Sequence, residues 1–597
     1  MENKKKLGVA IAAALMVMGV AIAPASAAAK PAPVASKAAA AADARFKAIY
    51  TREWKWRIGE RLARDDNASA NPGFARVDAA AQEARRLYWA GILKELDAID
   101  PAALSRAERI NFAVYRAQVA ALHDAQRFRE YEQPVNADSA FWSDVAYAAR
   151  RNLKSVDEFK NYLRMLDGLP AYFDQELDNM RAGLARGFTP PKVTLAGREG
   201  TLTSVTEAKT PQDVVFYQPF RDMPATIPAA EQEALRQQAV ALIQGKVQPA
   251  YAKALAYFRD EYVPRARTTL AAHDMPGGPA YYQSKIVEFT TTDMSADQIH
   301  AIGLAEMAKI RAEMHDIMRQ VEFKGDLQAF LQFLRTDPQF YATTPEQLLK
   351  SAAWTSKKFD AKADQFFGHL PRRRFAIIPV PADQAPFWTA GRGGPGSYWV
   401  NTYNLPARPL YSLPALTLHE SAPGHAFQIP LAQEQKGVPP FRRAYISAYG
   451  EGWALYTERL GTEMEIYETP YEVFGMLSYQ AWRASRLVVD TGIHAKGWTR
   501  EQAQNYLIEN TALSRHEVET EVDRYISWPG QALSYYLGQM AIQEARARAE
   551  KALGPKFDIR HFHDTVLQVG SVPLPVLQQR IDQFIADGGP SPYPKEG

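Results

Sequence analysis

Aromatic and aliphatic residues at four-residue intervals decide the fold class of this chain. Phe46, Tyr50, Trp54, Ile58 and Leu62 share one face of a helix, because residues four apart stack on the same side. Leu87, Leu93, Leu96 and Ile99 predict a second helix, ended before Pro101. The run from Tyr162 to Phe173 predicts a third, closed at Gly187 and the Pro190-Pro191 pair. Helical patterns return over 229–258 and over 296–320, with Ser295 as N-cap of the latter. They dominate again after about 412. Strand texture is minor: 375–380 and 397–403 read as strands, 391–396 as a glycine-rich loop, and 192–206 as a polar stretch with short strands. The expectation is a mainly α fold with a small antiparallel strand element.

Bulk properties narrow the function. A length of 597 residues allows two to four domains or one large two-lobed enzyme. A net charge of +3, part of it in Lys4, Lys5 and Lys6, is too small for a nucleic-acid binder. With no Cys in the chain, a Cys nucleophile, Cys-ligated zinc and disulfides are excluded. Lys4–Lys6, the apolar run Leu7–Ile22 and Ala25-Ser26-Ala27 read as a signal peptide over 1–27. A periplasmic or secreted protein is expected, with no membrane association after signal removal and no cysteine to carry a lipid. Residues 28–42 read as an Ala-rich disordered spacer. The remainder divides into an N-terminal helical lobe, 43–375, and a metal-site helical lobe, 376–597.

Only 11 His occur, and two fall in Leu418-His419-Glu420-Ser421-Ala422-Pro423-Gly424-His425. In the H-E-x-x-H motif two imidazoles on one helix face bind zinc and the Glu takes a proton from water. Here the spacing is six, which on a regular helix turns the second side chain about 120° away from the first. Pro423 and Gly424 between them predict a break that brings His425 back beside His419. Glu451, in Tyr449-Gly450-Glu451-Gly452-Trp453-Ala454-Leu455-Tyr456-Thr457-Glu458, fits as third ligand. Glu458, two turns on, lies on the same side and fits as a hydrogen-bond acceptor for a ligating His. The competing reading is a buried His pair that stabilises a turn. His516-Glu517 has no second His nearby and reads as a solvated helix face. Arg486, Asp490, Arg524 and Gln531 are polar residues in apolar surroundings. Arg524 or Arg486 suits a substrate carboxylate, against the alternative of an i,i+4 Arg486–Asp490 pair.

These blocks resemble the bacterial DUF885 family, whose hallmark is His-Glu-x-x-Pro-Gly-His followed by Glu-Gly-Trp-Ala-Leu-Tyr-x-Glu. Arg486–His494, Glu521–Tyr525 and Pro529–Tyr535 look like its later blocks, and the likeness is strongest over about 380–545. Ala426 departs from the family, where many members have a second consecutive His. The family in turn resembles the helical gluzincin peptidases. That resemblance implies a two-lobed helical fold with one zinc ion in a cleft, and a strand at about 397–404 that pairs with an extended substrate. It also implies a downstream His and Tyr as oxyanion donors, for which Tyr535, then His494, and Tyr536 are candidates. The resulting expectation is zinc-dependent cleavage of peptide bonds with Glu420 as base, carboxypeptidase- or dipeptidase-like. The rivals are a zinc amidohydrolase for cell-wall or D-amino-acid peptides, and a metal-free periplasmic binding or scaffold protein. Oligomeric state is not read from the sequence.

Overall fold

The computed structural model describes residues 37–63, 73–382 and 385–593. The expected signal peptide and residues 28–36 of the expected spacer lie outside them. The rest of that spacer is helical: the first helix is Lys37–Gly59 and takes in the alanines at 38–42. Ala has the highest helix propensity, and Phe46 and Ile49 anchor this helix in the core.

The remaining helices follow their sequence signals, with corrections. Ser295 caps Ala296–Gln320 in a reciprocal box with Gln298. Gly187, at φ 77°, ends Val156–Arg186. In Ala79–Asp97 the buried stripe is Arg85, Trp89, Ile92 and Leu96, whereas Leu87 is exposed. The stretch 192–206 holds no strand. It forms a 3-10 turn, Lys192–Leu195, and a helix, Gly200–Thr206, whose Leu202 and Val205 face the core three residues apart.

The sheet has three strands: β1 Ala376–Pro379, β2 Gly391–Gly394 and β3 Ser397–Val400. Their order is β1-β3-β2. β3 runs parallel to β1, Ala376 opposite Ser397, and antiparallel to β2, Gly391 opposite Val400. The sheet is therefore mixed rather than antiparallel, and the expected glycine loop is a strand. Glycine serves close approach here: a Cβ on Gly393 would stand 1.9 Å from the Glu420 carbonyl oxygen.

Six C-terminal helices frame the site: α1 Leu413–Glu420, α2 His425–Glu434, α3 Ser447–Glu463, α4 Pro470–Lys496, α5 Arg515–Ser527 and α6 Ser534–Leu553. Two large hydrophobic clusters meet on them. One joins Phe46, Trp89 and Tyr115 near the start to Trp453, Phe562 and Phe584 near the end. The other joins Ile286, Met314 and Phe330 to Tyr398, Leu416 and Leu487. α1 gives Leu418 to the first and Leu416 to the second, so it lies in the seam. Both clusters cross residue 375, so packing does not follow the expected lobe boundary there. A third cluster, from Val135 to Ala266, packs by itself. Among the described residues no helix is long and apolar enough to cross a membrane.

Candidate metal centre

α1 ends at Glu420, the chain passes a cis Ala422–Pro423 peptide bond, and α2 begins at His425. The break is tied down: Gly424 N–H donates to Leu418 O at 3.0 Å, and the Trp453 indole N–H donates to Pro423 O at 2.8 Å. A Cβ on Gly424 would meet His419 O at 1.9 Å. Gly424 therefore serves close approach, and its φ of −75° and ψ of −130° lie outside the helical and extended regions. This is how a six-residue spacing is accommodated. The two imidazoles face one another with ring centres 4.9 Å apart.

Glu451 closes the set from α3. Its Oε2 lies 3.5 Å from His419 Nε2 and 3.3 Å from His425 Nε2. Among the described residues these three form a group whose ligand atoms all lie within 4.8 Å of one another. A tetrahedral zinc with bonds of about 2.0–2.1 Å spans ligand pairs by roughly 3.3–3.5 Å, so both Glu–His edges fit. Behind His419, Glu458 Oε1 lies 2.8 Å from Nδ1. That bond fixes a proton on Nδ1, so that Nε2, once its own proton leaves, would present its lone pair toward Glu451 and His425, which suits a metal. His425 Nδ1 is buried and has no partner.

The charges are tightly linked. Burial alone lowers the His419 pKa, but Glu451 and Glu458 outweigh it and push it up to about 10. Burial alone raises the Glu451 carboxyl, but His425 and His419 hold it well below the usual carboxylate range. The site thus already balances a carboxylate against positive charge, a role that a bound cation would take over.

Glu420 follows His419 and is only partly buried. The backbone N–H of Gly393 donates to its Oε2 at 2.5 Å, so β2 fixes this carboxylate from the side. Sequence reasoning missed that contact. It also missed Tyr445, a residue 46% exposed, whose hydroxyl donates to Glu451 Oε1 at 2.9 Å. Desolvation and the Glu451 carboxylate raise this phenol well above its ordinary value, so it stays protonated as a donor. The available signal was Gly450, where a Cβ would stand 2.2 Å from the Tyr445 ring. Arg483 was missed too. It is buried between Tyr479 and Trp482, with Nη2 3.7 Å from Glu458 Oε1, and offsets that charge.

Other expected residues lie elsewhere. His494 is fully buried, Nδ1 accepts from Ala272 N–H and Nε2 faces Tyr525 O at 2.9 Å. Both nitrogens are committed to backbone, which corrects its reading as an oxyanion donor. Tyr536 donates to Glu306 on the 296–320 helix, also a structural bond. Tyr535 is held by Arg524 at 3.3 Å, and the Arg486 guanidinium lies 4.2 Å from its ring centre. The i,i+4 pair Arg486–Asp490 does not form. Arg486 is 1% exposed and binds Glu521 and the Tyr525 hydroxyl. Asp490 accepts from Tyr282 and from Gly530 N–H, and burial raises its pKa to about 7. Arg524, with a side chain 26% exposed, donates to Gln531 Oε1 at 2.6 Å. β3, the strand expected to pair with substrate, is the central strand, so neither of its edges is free.

The sequence model of one family, "Bacterial protein of unknown function (DUF885)", matches residues 61–581. The chain belongs to the DUF885 family. Among solved structures, "the putative lipoprotein from Colwellia psychrerythraea" superposes with a TM-score of 0.82 at 27% identity, covering 93% of this chain and 100% of its own. A second, "a putative lipoprotein of unknown function from Shewanella oneidensis", has a TM-score of 0.67 at 17% identity, covering 90% and 98%, and is a likeness of fold alone. No curated protein matches the chain.

Proposed function

We propose that this DUF885 protein is a zinc-dependent hydrolase that cleaves peptide (amide) bonds. One observation carries the reading: His419, His425 and Glu451 converge from three helices beside a carboxylate, Glu420, that none of them uses. His419, His425 and Glu451 would hold the ion, and zinc so bound polarises a scissile carbonyl and acidifies the attacking water. Glu420 accepts the water proton and delivers it to the leaving amine. Gly393 N–H keeps one Glu420 oxygen in place while the other works. Glu458 holds His419 in one tautomer and one orientation. Tyr445 supplies the hydroxyl for the developing oxyanion, turning to it from Glu451.

Arg524 makes the enzyme carboxypeptidase- or dipeptidase-like. It is the part-exposed guanidinium of the Arg486–Glu521–Arg524 cluster, and such a fork binds a terminal carboxylate in two places. The Colwellia psychrerythraea neighbour is described as a putative lipoprotein, which supports a place in the cell envelope or outside the cell, periplasmic or secreted.

The test is the Glu420→Gln variant, assayed beside the wild type on a peptide library read by mass spectrometry. Wild type should carry one zinc per chain and cut; the variant should carry zinc and not cut. Wild-type protein with no zinc and no cleavage would sink the reading, and equal cleavage by both would remove Glu420 as base.

A further inference from the structure

A second cavity lies at the opposite end of α1 from His419 and Glu420. Its volume is about 290 Å³, and it opens to solvent past Gln332, Pro406 and Arg515. That is at the lower end of ligand pockets, roughly 300–1,000 Å³, so it suits a molecule smaller than a drug. Its wall is apolar, from Leu348, Val400, Leu413 and Leu416. Its polar groups are incompletely used. Arg408 is 7% exposed, its Nε has no partner, and its other contacts are long: Ala407 O at 3.2 Å, Glu517 Oε1 at 3.4 Å and Trp388 O at 3.5 Å. A buried guanidinium held this loosely lacks a strong acceptor.

Glu517 is used on one side only. Its Oε2 accepts from the Ser514 N–H and hydroxyl at 3.1 and 2.9 Å, whereas Oε1 has only the long Arg408 contact. Arg335 lines the same cavity, but its guanidinium is spent on the carbonyls of Ile508, Thr511 and Leu513. The cavity therefore offers a buried, under-used cation, an under-used anion and an apolar wall.

We infer that this cavity binds a free α-amino acid with an aliphatic side chain, its carboxylate on Arg408, its ammonium on Glu517 and its side chain against Val400 and Leu416. A bidentate guanidinium–carboxylate pair supplies the acceptor that Arg408 lacks. Leu416 stands one turn before His419 and Glu420 on the same helix, so the ligand touches the element that carries a metal ligand. The site does not depend on the proposed hydrolysis.

Calorimetric titration of the full chain with L-leucine tests this, beside L-leucinamide, which lacks the carboxylate, and 4-methylpentanoate, which lacks the ammonium. L-leucine should bind one site per chain, in metal-loaded and in metal-stripped protein. Each analogue should bind roughly tenfold to hundredfold more weakly, the worth of one charged hydrogen-bonded contact. Arg408→Gln should weaken L-leucine by a similar factor. No binding of L-leucine, equal affinity for its amide, or binding that vanishes with the metal would each overturn the inference. Should Arg408→Gln not fold, the comparison of L-leucine with its amide on wild type decides alone.

Discussion

Glu458 and Glu451 grip opposite nitrogens of one imidazole: Oε1 of the former lies 2.8 Å from His419 Nδ1, and Oε2 of the latter 3.5 Å from Nε2. They are seven residues apart on α3, so they share a face. Glu458 is fully buried, and its bond to a His goes to His419. Its removal should weaken zinc binding about 10- to 100-fold without removing a ligand. Chelator competition on Glu458→Gln measures this, and unchanged zinc affinity would refute the orienting role.

Gly424 is a second control point. The Cβ of Gly424→Ala would meet His419 O, a backbone atom that cannot swing aside. The expected outcome is loss of stoichiometric zinc and a cost of about 1–3 kcal/mol from overpacking. Metal analysis and thermal unfolding of the purified variant give both numbers.

Gly393 separates base positioning from metal binding. A Cβ there would collide with Glu420 O and push β2 off the end of α1, lengthening the Gly393–Glu420 bond. Gly393→Ala should keep its zinc yet lose about 10²-fold in kcat, the scale on which a misplaced catalytic group acts. Retained kcat would show that β2 does not set the base.

Tyr445→Phe removes a hydroxyl and leaves every proposed ligand in place. A drop of about 10²–10³ in kcat is expected, as for loss of one oxyanion donor, with zinc content unchanged. Steady-state kinetics on one peptide substrate decide it. A raised KM with normal kcat would instead make Tyr445 a binding residue.

Two buried histidines set an acid response away from the site. Burial lowers the pKa of His494 and of His563 to about 3. His563 is held between Phe366 O and the Tyr456 hydroxyl. In the unfolded chain both protonate near 6.5. Between about pH 6.5 and 3 the unfolded state therefore takes up more protons, and their contribution to stability, complete above 6.5, is lost as pH falls. NMR of ring-labelled histidine should show both rings neutral at pH 5. Urea unfolding of His494→Gln should lose less stability from pH 6.5 to 4.5 than wild type does.

Much of this was legible because helices announce themselves by period and caps. Ser295 with Gln298, and Gly187, stand where their residue types predict. The convergence of His419, His425 and Glu451 was legible because zinc chemistry admits few side chains, and that of Glu458 because two turns return to one face. The missed contacts share a cause. Gly393 acts through its backbone N–H, Tyr445 through a ring laid over Gly450, and neither leaves a pattern of side-chain types. His494 misled because a buried histidine satisfied by backbone looks, in sequence, like one held for chemistry. Packing that spans residue 375 was not legible because helices far apart in the chain share cores.

One cluster joins Phe46 and Trp89 to Phe562 and Phe584, with Trp453 of the ligand-bearing helix among them. Segments separated by some five hundred positions must meet before α3 is fully walled in. A nascent chain still on the ribosome, or threading through a translocation pore, lacks the last of these walls. The proposed metal site would therefore be completed late, only once both ends of the polypeptide have packed around α3.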